Sequence, residues 1–72
     1  MRNKSSDMAK INGENFVIAE PITVSDFLIS RGINKDTVAV ELNGEILSRT
    51  SFENSYINAE DEVEIVNFVC GG

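Results

Sequence analysis

The chain has no histidine and no tryptophan, and it holds one cysteine and one proline in 72 residues. Without histidine, the commonest general base and the commonest metal ligand are missing. One cysteine can close neither an internal disulfide nor a zinc cluster. Basic residues are scarce as well: 6 against 12 acidic ones leave a net charge of −6, which opposes binding to phosphate backbones and anionic lipid surfaces. Nucleic acid and membrane are therefore not expected as partners. No window approaches the ~18 apolar residues of a membrane span, and Met1 to Asp7 lack the apolar run of a secretory signal. The expected compartment is the cytoplasm, which a lone reduced thiol fits. Length excludes more. A chain this short buries only about 60–65% of its unfolded surface, too little for a core with a deep substrate cleft, so it is not expected to be an enzyme acting alone.

What is present is organised as one domain. Residues 1–7, Met-Arg-Asn-Lys-Ser-Ser-Asp, are polar and aperiodic and are expected to form a disordered leader before a domain over 8–69, with residues 70–72 as a flexible tail. Without the leader the chain keeps 4 basic and 11 acidic residues, a net −7. Two short apolar runs flank Asn12-Gly13, and Asn-Gly supplies the positive φ of a tight hairpin turn. Pro21 stops the ladder. Thr23 then stands at the N-cap position of a helix of about nine residues, with Ile22 and Phe27 placed as a hydrophobic staple. Val24, Phe27 and Leu28 make its apolar face, and Gly32-Ile33 predicts a Schellman end with Ile33 against Leu28.

From Thr37, Val38, Val40 and Leu42 alternate with Ala39 and Glu41, which predicts a half-buried strand, and a second Asn-Gly turn follows at 43–44. Residues 48–61 read as a helical turn or loop anchored to the core by Phe52, Tyr56 and Ile57. Glu62 to Val69 reads as a last strand, with Val63 and Ile65 on one face and Val66 and Phe68 on the other. One helix with one apolar face needs a sheet to cover. The order therefore predicts a two-layer α+β domain, a mixed sheet of four or five strands packed on one helix, and the β-grasp arrangement fits that order. Its N- and C-terminal strands lie side by side in the middle, and an extended C-terminal tail projects beyond the fold.

Reactive side chains are few. Glu60, Asp61, Glu62 and Glu64 lack the spacing of a calcium loop and read as a solvated face, with Glu62 and Glu64 together on one side of a strand. The more informative feature is the ending, Cys70-Gly71-Gly72. Two glycines can be a frayed terminus, or they can lie extended in a channel too narrow for side chains, with the terminal carboxylate at the tip. Three residues past Val69 reach about 10 Å, enough to enter another protein's active site. Cys70 reads as an inert exposed thiol, the alternative being exchange with a partner's cysteine or transient addition to an activated carbonyl.

Three blocks now fall into order: Val38-Ala39-Val40-Glu41-Leu42-Asn43-Gly44-Glu45-Ile46, then Asp61 through Val69, then Gly71-Gly72. With Lys10-Ile11-Asn12-Gly13 and Thr23-Val24, they make residues 8–72 resemble the ThiS sulfur carriers of thiamine biosynthesis, within the ubiquitin-like β-grasp superfamily. The resemblance implies a carrier with no bound cofactor. Its Gly72 carboxylate is adenylated by a ThiF-like enzyme that uses ATP, sulfur from a cysteine desulfurase or related donor displaces AMP, and the thiocarboxylate serves thiazole synthase. Gly72 is then the reacting residue, Gly71 lets the tail thread, and Val66 and Phe68 are the docking hydrophobes. A molybdopterin-type carrier and a ubiquitin-like tagging or binding module are the alternatives. The chain departs from the family where Ala59-Glu60-Asp61 stands in place of a common Asp-Gly-Asp; a positive φ at Glu60 costs on the order of 1 kcal/mol.

Overall fold

The computed structural model describes residues 7–68. Strand β1 (Met8–Ile11) turns at Asn12-Gly13 into β2 (Glu14–Val17), and the φ values of 53° and 82° at the turn residues fit a two-residue hairpin of the I′ type. Of the expected leader, only Asp7 lies within the described residues. Its carbonyl accepts the Ile18 N–H at 2.8 Å and lengthens the hairpin ladder.

Two-residue β3 (Ile22–Thr23) leads into α1 (Val24–Ser30). Thr23 caps the helix as its sequence position predicts, the Oγ1 accepting the Asp26 N–H at 3.0 Å. The helix has seven residues, two fewer than expected, because Arg31 already leaves helical geometry and Gly32 takes φ of 70°. The Schellman pair closes it: Ile33 N–H donates to Leu28 O at 2.8 Å and Gly32 N–H to Ile29 O at 3.0 Å. Val24, Phe27 and Leu28 are buried together.

After a 3-10 turn at Lys35–Thr37, β4 (Val38–Leu42) and β5 (Glu45–Ile46) make the second Asn-Gly hairpin. The crossover differs from the sequence expectation. Besides a 3-10 turn at Arg49–Ser51 it contains β6 (Tyr56–Ile57), which pairs antiparallel with β3 as a separate two-stranded sheet. Strand alternation there sends Ile57 into the core and turns Tyr56 outward, 53% exposed, so Tyr56 is not a core anchor whereas Phe52 and Ile57 are. This segment also receives the helix: the Val24 and Ser25 amides donate to Ser55 O and Phe52 O at 2.9 and 3.0 Å, satisfying N-terminal groups that the helix itself leaves unpaired.

Last comes β7 (Glu62–Asn67), which stops two residues short of the expected end; Phe68 follows it, and Val69 lies outside the described residues. The main sheet has the order β2-β1-β7-β4-β5, with β1 and β7 parallel and the other neighbours antiparallel. The first and last strands therefore meet in the middle, and α1 covers one face in the β-grasp arrangement. Val40, Val63, Ala9 and Ile11 line the helix-facing side of the sheet. The turn before β7 puts Glu60 at φ of 75°, in the left-handed region that a side chain resists.

Candidate functional site

β7 is the element that leads to the chain's end. Alternation along it directs Val63 and Ile65 toward α1 and turns Glu62, Glu64 and Val66 to the opposite, uncovered face. Phe68 continues that parity, and its N–H donates to Thr37 O at 3.0 Å, which holds the register one residue past the strand. Val66 is 57% and Phe68 54% exposed, the outward orientation that strand alternation predicts for both. Gly71 and Gly72 lie outside the described residues, as does Cys70.

Register adds two residues that the sequence reading passed over. Ala39 lies opposite Val66, and Ile46 lies opposite Glu41, so both share the uncovered face. Ile46 is 77% exposed. With Val66 they line a shallow hollow of about 170 Å³ flanked by Glu41 and Glu64. The signal was present in the sequence: a two-residue turn at 43–44 pairs 41 with 46, so an outward Glu41 places Ile46 outward too. Glu41 and Glu64 are directly opposite one another across β4 and β7, and like charges in that relation destabilise a sheet. The face thus combines an apolar centre with an acidic flank, which fits a partner surface that is apolar and edged with cations.

Two asparagines hold β7 in place. Where β1 ends, the Asn12 side chain takes over the ladder: Oδ1 accepts the Ile65 N–H at 2.7 Å and Nδ2 donates to Ile65 O at 3.2 Å. On the other flank, Asn43 Oδ1 accepts the Glu62 N–H at 2.8 Å and Nδ2 donates to Asp61 Oδ1 at 3.0 Å. The second carboxylate oxygen of Asp61 accepts the Asn58 N–H at 2.7 Å. Asp61 is thereby a turn-forming residue, and Glu62 and Glu64 face solvent, as expected of that acidic stretch. Among the described residues no group of three or more carboxylates or thiols comes together as a metal site, and no helix is long and apolar enough to cross a membrane.

Comparison with known proteins agrees with this architecture. A crystal structure of the thiamine biosynthesis protein ThiS from Geobacter metallireducens superposes with a TM-score of 0.77 at 32% identity, covering 90% of this chain and 99% of that one. The solution structure of a thiamine biosynthesis protein from the same organism gives a TM-score of 0.73. The uncharacterized protein ycf40 of Porphyra purpurea is 38% identical over the full length of both chains. A thiazole synthase of Paramagnetospirillum magneticum is 39% identical over 62 residues, 86% of this chain but 19% of that protein. The model of the ThiS family matches residues 6–72, and on that span the chain belongs to the ThiS family.

Proposed function

We propose that the chain is a sulfur carrier of thiamine biosynthesis whose reacting group is the carboxylate of Gly72. A carboxylate resists nucleophiles through charge and resonance, so a ThiF-like enzyme first joins it to the AMP part of ATP and releases pyrophosphate. The terminal sulfur of a persulfide, loaded by a cysteine desulfurase or related donor, then attacks the acyl carbon. AMP leaves with the electron pair of the broken C–O bond. A thiol cleaves the resulting acyl disulfide, leaving a thiocarboxylate on Gly72 and a disulfide on the donor side. Thiazole synthase takes the sulfur. The carrier supplies a positioned carbonyl and a docking face, while the nucleotide site and the acid–base groups belong to the partners.

The observation that carries this reading is the family match running through residue 72. The uncovered apolar face of Ala39, Ile46 and Val66, with Phe68 next to the chain's end, supports it as the docking surface. The thiazole synthase relative supports the choice of pathway, because one polypeptide there joins a segment similar to this chain to a much longer remainder. Cytoplasmic location is part of the same proposal.

Intact-mass spectrometry tests the proposal after the full chain is incubated with a ThiF-like adenylating enzyme, ATP and a persulfide donor. The expected product carries one sulfur in place of one oxygen. Deleting Gly72 should abolish that gain and leave the melting temperature unchanged. No mass gain, together with no pyrophosphate exchange dependent on this chain, refutes the carrier reading. High-mass conjugates linked through lysine amides would make it a tagging module instead.

A further inference from the structure

The sheet stops at β2 among the described residues. In the β1–β2 hairpin, the Ile18 N–H donates to Asp7 O, and antiparallel alternation then directs the backbone N–H and C=O groups of Glu14, Phe16 and Ile18 toward β1. The N–H and C=O groups of Asn15 and Val17 consequently point away from the sheet, two donors and two acceptors along a free edge. Between this hairpin and the end of α1 lies a groove of about 220 Å³ whose lining includes Phe16, Phe27, Ile33, Arg31 and Glu14. Its floor is preformed. The Phe16 and Phe27 rings meet edge to face at 5.6 Å, and the Arg31 guanidinium sits 5.2 Å from the Phe16 centroid.

Arg31 is set apart from two of the chain's other cations. Arg49 faces Asp36 at 3.6 Å and Lys10 lies opposite Glu62, whereas the Arg31 guanidinium lies against an aromatic face. A strand added alongside β2 would alternate its side chains, one set hanging beside Phe16 and Arg31 and the other beside exposed Val17. The first set is matched by branched apolar residues and one carboxylate. Glu14 lines the groove two residues nearer the turn, so that carboxylate belongs at the Arg31 end. A second copy of the chain is disfavoured as the occupant, because two molecules at −6 repel and each would bring its own Glu14 to the edge.

We propose that the β2 edge and the adjoining groove form a second docking site, distinct from the uncovered face beside the chain's end, which takes an extended apolar peptide segment bearing one acidic residue by strand addition. This site does not depend on the chemistry at Gly72. A partner could therefore hold the carrier at β2 while the tail is engaged elsewhere.

The probe is an acetylated, amidated peptide, Asp-Thr-Val-Thr-Val, titrated into the full-length nitrogen-15-labelled chain and followed by amide chemical shifts. The expected result is saturable shifts at Asn15, Phe16, Val17 and Arg31. Replacing the peptide's aspartate with lysine should weaken binding about three- to fivefold, the range of a solvent-exposed ion pair. N-methylating its edge-facing amides should weaken binding about tenfold, from lost backbone hydrogen bonds. Because the N-methyl control leaves the protein untouched, it holds even if an edge variant fails to fold. Arg31→Ala should reproduce the lysine result without removing the N-methyl effect. No shifts at millimolar peptide, or shifts confined to Ala39, Ile46 and Val66, overturn the proposal. Shifts at Asn15 and Val17 that depend on protein concentration without peptide also overturn it, since a second copy would then be the occupant.

Discussion

Replacing Asn12 with glycine should unlock one flank of the central strand without disturbing the turn in which Asn12 sits. Glycine accepts φ of 53° freely, so Asn12→Gly keeps the turn and removes the side-chain clamp on Ile65, with the unfolded-chain entropy of glycine adding to the loss. That clamp consists of two hydrogen bonds, 2.7 Å to the Ile65 N–H and 3.2 Å to its carbonyl. A typical net value is about 0.5–1.5 kcal/mol per bond. Both bonds lie near solvent, where water replaces lost partners, so the sum falls at about 1–2 kcal/mol. For a domain of this size, that lowers the melting temperature by about 5–12 °C. Urea unfolding followed by circular dichroism should show the same loss with an unchanged m-value. Native-state exchange should show the Ile65 amide losing protection out of proportion to the Val40 amide on the neighbouring strand. Asn12→Asp keeps the shorter acceptor bond and loses the donor, so it should fall between wild type and glycine. If Asn12→Gly matches wild type within about 0.3 kcal/mol, below the usual scatter of surface substitutions, the clamp contributes nothing and the reasoning fails.

Two further outcomes are expected. Glu60→Gly should stabilise the fold by about 0.5–1 kcal/mol, since relief of a left-handed residue exceeds the entropy that glycine adds to the unfolded chain; a calorimetric melting temperature at or below wild type would contradict this. Ile46→Thr and Phe68→Asp should each weaken binding to a ThiF-like partner by titration calorimetry, while shifting folding stability by no more than about 0.5 kcal/mol; unchanged affinity would remove that residue from the docking surface.

Local chemistry made much of this molecule legible from its residues. Asn-Gly pairs, the Thr23 cap and Gly32 each fix backbone geometry within a few positions, and strand alternation sorted Val63 and Ile65 from Val66. Missing from that reading was whatever depends on which strands become neighbours. Asn12 and Asn43 read as turn residues, and their side chains reach β7 only because the sheet places both turns beside it. Tyr56 misled for the same reason. Its segment has no periodicity of its own, and its orientation is set by pairing with β3. Ile46 was within reach, since the turn length alone determines its partner, but a single apolar residue after a turn carries no pattern. The groove beside β2 needs the helix end and the hairpin to be placed together, which no spacing in the chain encodes.

The position of β7 also determines how the domain bears load. Its flanks are a parallel ladder to β1 and an antiparallel ladder to β4, with a side-chain clamp on each side. A pull applied to the chain's end along the strand axis is shared among all these bonds at once, in shear, instead of opening them one after another as peeling an edge strand would. An enzyme drawing the last residues into a narrow channel would be tugging on the best-anchored strand of the sheet. The pull would then move the whole domain toward the partner as a rigid body before it extracted the strand.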